Sequence, residues 1–173
     1  IYYGEEIGMT QATTGNDVYR IAPMQWDSTA QAGFTTAEKS WVEQPELFGQ
    51  HYQPWWPTFL AEQLQQPENT VKTQQQQADS LWNFYRFLIH QKTQRPELST
   101  KGSYTAEEVL PGLLVIDRKQ GEHRTVFVLN LNNEPLDINT VLDPLSQLTI
   151  SWIFDLDASV LAAQGVAVLQ SHP

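Results

Sequence analysis

Two carboxylates stand side by side in IYYGEEIGM, Glu5 and Glu6, directly after a β-forming apolar triplet and a glycine. Carboxylate pairs do acid and base work when both groups face one reacting bond, and barrel enzymes set such groups at the carboxyl ends of their strands. Neighbours on a strand point to opposite faces, so these two read as structural or supporting residues rather than as an acid–base pair. The four histidines, His51, His90, His123 and His172, show no ligand spacing, and each reads as solvated or as compensating a helix dipole. Asp155 and Asp157 share a strand face, but two carboxylates fall short of the roughly six to eight oxygens of a calcium cage and read as a turn. Neither a metal nor a cofactor is expected. In HYQPWWPTF, residues 51–59, Tyr52, Trp55, Trp56 and Phe59 lie among prolines. They form either a rigid platform for the apolar face of a sugar or, the favoured reading, a staple for a long loop.

The elements that would position these groups differ sharply along the chain. Ile1 to Tyr3 reads as the end of a strand, broken by Gly4. Residues 5–67 lack sustained periodicity, which in so long a stretch marks a functional loop. Leu81, Phe84, Tyr85 and Leu88 then recur at helical spacing, with Trp82 and Ile89 widening the stripe. Asp79 and Ser80 are candidate caps; an earlier start would use Thr73 and Gln76 as a capping box and leave Gln74 to Gln77 as an exposed first turn. Pro96 closes the helix, with Lys92 and Arg95 near the negative end of its dipole. Beyond it, strand-like runs occupy 103–105, 112–119, 124–132, 136–142, 148–155 and 166–170. Short strands at regular spacing predict an antiparallel sandwich.

Composition sets the outer limits. The 173 residues are 40% hydrophobic, enough for a core. A formal charge of −10 repels phosphate backbones and anionic lipid surfaces, so nucleic acid is excluded as a partner and a membrane is disfavoured. There is no cysteine, hence no disulfide framework and no thiolate nucleophile.

Three motifs in order, IYYGEEIGM, APMQWDSTAQAGFTT and the pair NTVKTQ with SLWNFYRFLIHQK, strongly resemble glycoside hydrolase family 13. The resemblance is to its α-glucosidase, oligo-1,6-glucosidase and trehalose synthase branch and covers about residues 1–105. It implies an α+β chain: strand 8, substrate-side loop and final helix of a (β/α)8 barrel over 1–97, then an all-β antiparallel sandwich, domain C, over 98–173. It also implies that most of the barrel, about 250 residues in the usual fold, precedes Ile1. The nucleophile, the acid/base and the third carboxylate, borne on strands 4, 5 and 7, lie there too. Catalytic residues are therefore expected to be absent from this chain, which alone would be inactive. The family's Arg-Thr-Pro-Met-Gln-Trp-Asp appears as RIAPMQWD, with Ile21 at the Arg and Arg20 one position early. By resemblance Arg20 and Gln25 are the candidate substrate contacts, while Met24 and Trp26 pack. Asp17 lies in a family loop that sometimes carries acidic ligands.

The function so implied is part of a retaining α-glucoside hydrolase or transglucosidase taking short α-glucans or disaccharides. An excised barrel strand would leave its edge open to self-association. Two alternatives stand beside this reading. The non-catalytic heavy chain of amino-acid transporters resembles the same glucosidases and lacks the motif's Arg, as Ile21 does here. A carbohydrate-binding β-module from about residue 98 would use Trp152 and Phe154. Localisation is left open.

Overall fold

The computed structural model describes residues 2–9, 22–43, 69–157 and 160–171, with the backbone alone for 140 and 152–157. Two compact units divide the chain, Ile1–Arg86 and Phe87–Pro173. Among the described residues no helix is long and apolar enough to cross a membrane.

In the first unit Tyr2 and Tyr3 are not in a strand. Gly4 takes φ 90°, and a 3-10 turn, Glu5–Ile7, follows at once. No described strand lies alongside to complete a ladder, so the local turn prevails over the β-propensity of the tyrosines. A Cβ on Gly4 would stand 3.0 Å from the Met9 side chain, a second reason for glycine there. The helical region is two helices, α1 (Val71–Gln74) and α2 (Leu81–Gln94). Thr70, rather than Thr73, caps α1, its hydroxyl accepting the Thr73 N–H at 3.3 Å. Ser80 caps α2 as expected, its Oγ accepting the Asn83 N–H at 3.2 Å. The apolar stripe of α2 is half-buried rather than buried, and Ile89 is 51% exposed.

In the second unit α2 ends before Pro96 as expected. A 3-10 turn, Pro96–Leu98, follows, and Lys92 Nζ donates to the Leu98 carbonyl at the helix end. Six strands come next: β1 (Ser103–Leu110), β2 (Leu113–Gln120), β3 (His123–Asn130), β4 (Leu136–Asp137), β5 (Thr149–Asp157) and β6 (Val160–Gln170). All pairings are antiparallel. The hydrogen bonds join one sheet, β1-β2-β3-β6-β4, with β5 along the other edge of β6, instead of dividing into two sheets. Register shifts in β5 between Ile150 and Trp152 and between Phe154 and Leu156, with Gln164 at φ 57° in β6, are the bulges that let one sheet bend round β6.

Two further readings are corrected here. The run 136–142 is strand for two residues only and then a helical turn, α3 (Asn139–Leu142). Asp137, one residue before the N-cap Ile138, makes a local bond into that turn, its Oδ1 accepting the Asn139 N–H at 2.9 Å. β6 starts six residues before the expected Val166 because Gln164 and Gly165 form a bulge, not a turn. The core lies on the face shared by Val126 and Val128 with their cross-strand partners Leu169 and Ala167, closed by Leu113, Ile138, Leu145 and Leu161.

Candidate functional site

Among the described residues of the first unit, Tyr3, Glu6, Pro23, Met24, Trp26, Phe34 and Trp41 line an open concavity of about 430 Å³. That volume falls within the range of small-molecule sites. Its walls are built from three segments. The turn Glu5–Ile7 buries Ile7 against Met24 and Val71, which leaves Tyr3 and Glu6 on the cavity side. Glu6 Oε2 accepts the Gly4 N–H at 2.8 Å and Glu5 Oε2 the Tyr2 N–H at 3.1 Å, so each carboxylate braces its own turn.

The second wall is the extended run 22–26. Tyr3 Oη donates to the Ala22 carbonyl at 3.0 Å; burial and the neighbouring Tyr2 push the Tyr3 phenol up, which keeps it a neutral donor. The N–H groups of Val71 and Lys72, at the start of α1 and without partners inside the helix, donate to the carbonyls of Gln25 and Trp26 at 3.1 and 2.9 Å. The third wall follows a turn in which Gln31, Ala32 and Gly33 all have positive φ. The Ala32 carbonyl accepts N–H bonds from Trp26 and Asp27 at 2.9 and 3.2 Å. Asp27 Oδ1 accepts the Thr29 hydroxyl and N–H at 2.5 and 2.9 Å, and these bonds hold its carboxyl below the usual range. A Cβ on Gly33 would meet that carboxylate at 2.6 Å.

The cavity is an aromatic recess with one carboxylate at its side, a lining that can stack on an apolar ring face and accept hydrogen bonds at its edge. Of the expected contacts, Arg20 lies outside the described residues, as do Asp17 and the aromatic stretch 51–59. Gln25 is described and is 1% exposed, its carbonyl engaged by α1. Met24 packs as expected. Trp26, assigned to packing, is 49% exposed and lines the cavity. The side chains of Trp152 and of Asp155 and Asp157 fall outside the description. Among the described residues no cluster of three or more His, Asp or Glu side chains could hold a metal. Sequence reasoning missed Phe34 and Trp41; the one available signal was the recurrence of bulky aromatics at 26, 34 and 41 in an otherwise aperiodic stretch.

Motif order, fold and comparison together identify the chain as related to the α-glucosidase-like proteins of glycoside hydrolase family 13. It is 25% identical over 173 aligned residues to Maltase 1 of Drosophila virilis, an alignment covering 86% of this chain and 24% of that protein. The amino acid transporter heavy chain of Homo sapiens is 45% identical over 49 residues, 24% of this chain and 7% of its own length. Among solved structures, the isomaltulose synthase of Erwinia rhapontici NX5 in complex with sucrose superposes with a TM-score of 0.63 at 19% identity, covering 100% of this chain and 35% of that one. No protein-family model matches the chain. It thus spans about a quarter of the maltase's length.

Proposed function

We propose that this chain supplies the substrate-side loop, the closing helix and the β-domain of a retaining α-glucoside hydrolase or transglucosidase acting on disaccharides or short α-glucans. The observation that carries the proposal is the alignment to a maltase along 86% of the chain. A superposable enzyme bound to sucrose supports an α-glucoside as ligand, and an aromatic recess fits a pyranose. Retaining hydrolysis needs two carboxyls about 5 Å apart across the scissile bond. Glu5 and Glu6 each brace their own turn and are given neither role; in this reading the reacting carboxylates come from the part of the enzyme that the chain does not span, and the chain alone is inactive. Arg20 and Gln25 are the proposed polar contacts of the loop, Gln25 after a side-chain rearrangement. The half-exposed Tyr2 and Tyr3 are the surface for self-association, which sedimentation at rising concentration tests.

A second reading has its own observation, the 45% identity to a transporter heavy chain over 49 residues, joined by Ile21 at the motif's Arg position. It makes the protein a binding partner without chemistry. The two separate on one assay: the complete protein, given maltose and isomaltose, releases glucose if the hydrolase reading holds and releases none if the heavy-chain reading does.

A further inference from the structure

We propose that Gln74 is the positioning residue that fixes the separation of the cavity's two main walls. Its side chain is nearly fully buried, 6% exposed. Nε2 donates to the Ile7 carbonyl at 2.9 Å, and Oε1 accepts the Trp82 N–H at 3.0 Å. The carboxamide therefore fastens the turn carrying Tyr3 and Glu6 to the first turn of α2.

The main chain of the same residue is fastened as well. Its carbonyl accepts Ser80 Oγ at 2.6 Å and Asn83 Nδ2 at 3.1 Å, and its N–H donates to the Thr70 carbonyl at 3.0 Å. Thr70 opens the short helix whose next two N–H groups hold the carbonyls of Gln25 and Trp26. One wall thus hangs on the side chain of Gln74 and the other on the helix Gln74 closes.

A carboxamide suits the place because it offers a donor and an acceptor on one planar group. The Ile7 carbonyl demands the donor and the Trp82 N–H the acceptor, which also fixes the orientation of the amide. Glutamate keeps the acceptor and loses the donor, leaving two oxygens facing at the Ile7 side; methionine keeps the length and loses both. Neither substitution touches a cavity-lining side chain.

That the cavity takes part of an α-glucoside rests on the function proposed above; the setting of its walls by Gln74 does not. The test uses the complete protein with Gln74→Glu. A displaced wall weakens binding without altering the reacting groups, so KM for maltose rises roughly tenfold while kcat stays within about twofold. A merely structural loss gives the opposite pattern, a lower kcat from fewer folded molecules at unchanged KM, and overturns the proposal, as does unchanged kinetics. If the unsubstituted protein turns over no α-glucoside, the functional reading falls and a second readout decides on Gln74. With 5-fluorotryptophan incorporated and resonances assigned by single Trp→Phe replacements, the fluorine signals of Trp26 and Trp41 move in Q74E while the Trp82 amide stays protected from exchange. Unmoved signals overturn the proposal. Should Q74E fail to fold, Q74M moves the Trp26 and Trp41 signals without burying a charge, and, because methionine also drops the bond to the Trp82 N–H, the Trp82 amide then loses its protection as well; unmoved Trp26 and Trp41 signals overturn the proposal here too.

Discussion

Arg95 and Glu97, two residues apart across Pro96, form a charged hydrogen bond of 2.5 Å, Nε to Oε1, with the Glu97 side chain wholly buried. The Thr125 hydroxyl donates to the same oxygen at 2.7 Å. Arg95 Nη2 reaches the carbonyls of Arg124 and Ser171 at 3.2 and 3.3 Å. The exit of α2 is thereby tied to β3 and to the residue that follows β6.

This knot has a pH signature. Burial opposes ionisation of Glu97, but the Thr125 and Arg95 hydrogen bonds outweigh it and hold the carboxyl below its ordinary 4.5. A depressed folded value means that the stabilisation is fully present above the unfolded value and is lost as pH falls through the folded one. Urea unfolding of the second unit is therefore expected to show stability declining below about pH 4.5, with the decline blunted in Glu97→Gln. At neutral pH Glu97→Ala, which strands the Arg95 charge, costs about 3 kcal/mol or more.

Asn130 predicts the opposite sign. Its Nδ2 donates to the carbonyls of Glu134, Leu161 and Ala162 at 2.9, 3.1 and 2.9 Å, and its Oδ1 accepts the Asn132 N–H at 3.0 Å. Asn130→Asp would set a buried carboxylate against three carbonyl oxygens, raising its folded pKa. Stability is then retained at low pH and lost as pH rises, with a deficit of about 3 kcal/mol at neutral pH. A variant no less stable at pH 7 than at pH 4.5 would contradict this.

Gly102 tolerates no side chain. A Cβ there would lie 1.9 Å from the Glu97 carbonyl oxygen, a backbone atom with no rotamer to escape into. Gly102→Ala is expected to destabilise the second unit by about 2–3 kcal/mol, as overpacking does, read as a lower urea midpoint with the slope unchanged.

Trp26 and Met24 should part company. Trp26 is half-exposed in the cavity and Met24 is 7% exposed in the cluster with Ile7 and Val71. Met24→Ala lowers stability by about 2–4 kcal/mol. Trp26→Ala leaves the melting temperature nearly unchanged and raises KM for maltose about tenfold, the worth of roughly 1.4 kcal/mol of lost stacking. Equal loss of stability in both would remove Trp26 from the site.

The sheet was the most legible part of the chain. β2 and β3 are bounded by turn residues and rich in β-branched side chains, so local signals and pairing agree. Of β1 only residues 103–105 read as strand in the sequence, because SYTAEEVL is exposed along most of its length and carries no apolar alternation. The last strand was cut short at Gly165, since a bulge and a turn use the same residues. α2 was plain from its period, yet nothing distinguished Gln74 from the glutamines that follow it. Its burial comes from a carbonyl 67 residues away in sequence, a partner no local pattern encodes. Trp26 differs from the expected packing residue for a related reason: its N–H and carbonyl are held by Ala32 and Lys72, partners distant in the motif, while its side chain stays half-exposed.

β6 pairs with β3, β4 and β5, and of the six strands it is the last to leave the ribosome. Until it emerges, hydrogen bonds can join only β1, β2 and β3, and the edge of β3 that β6 takes stays open. At about 5–20 residues per second of synthesis the wait lasts seconds, far longer than a hairpin needs to form. The nascent sheet is thus exposed to wrong partners for that interval, and a translational pause ahead of residue 160 would lengthen it.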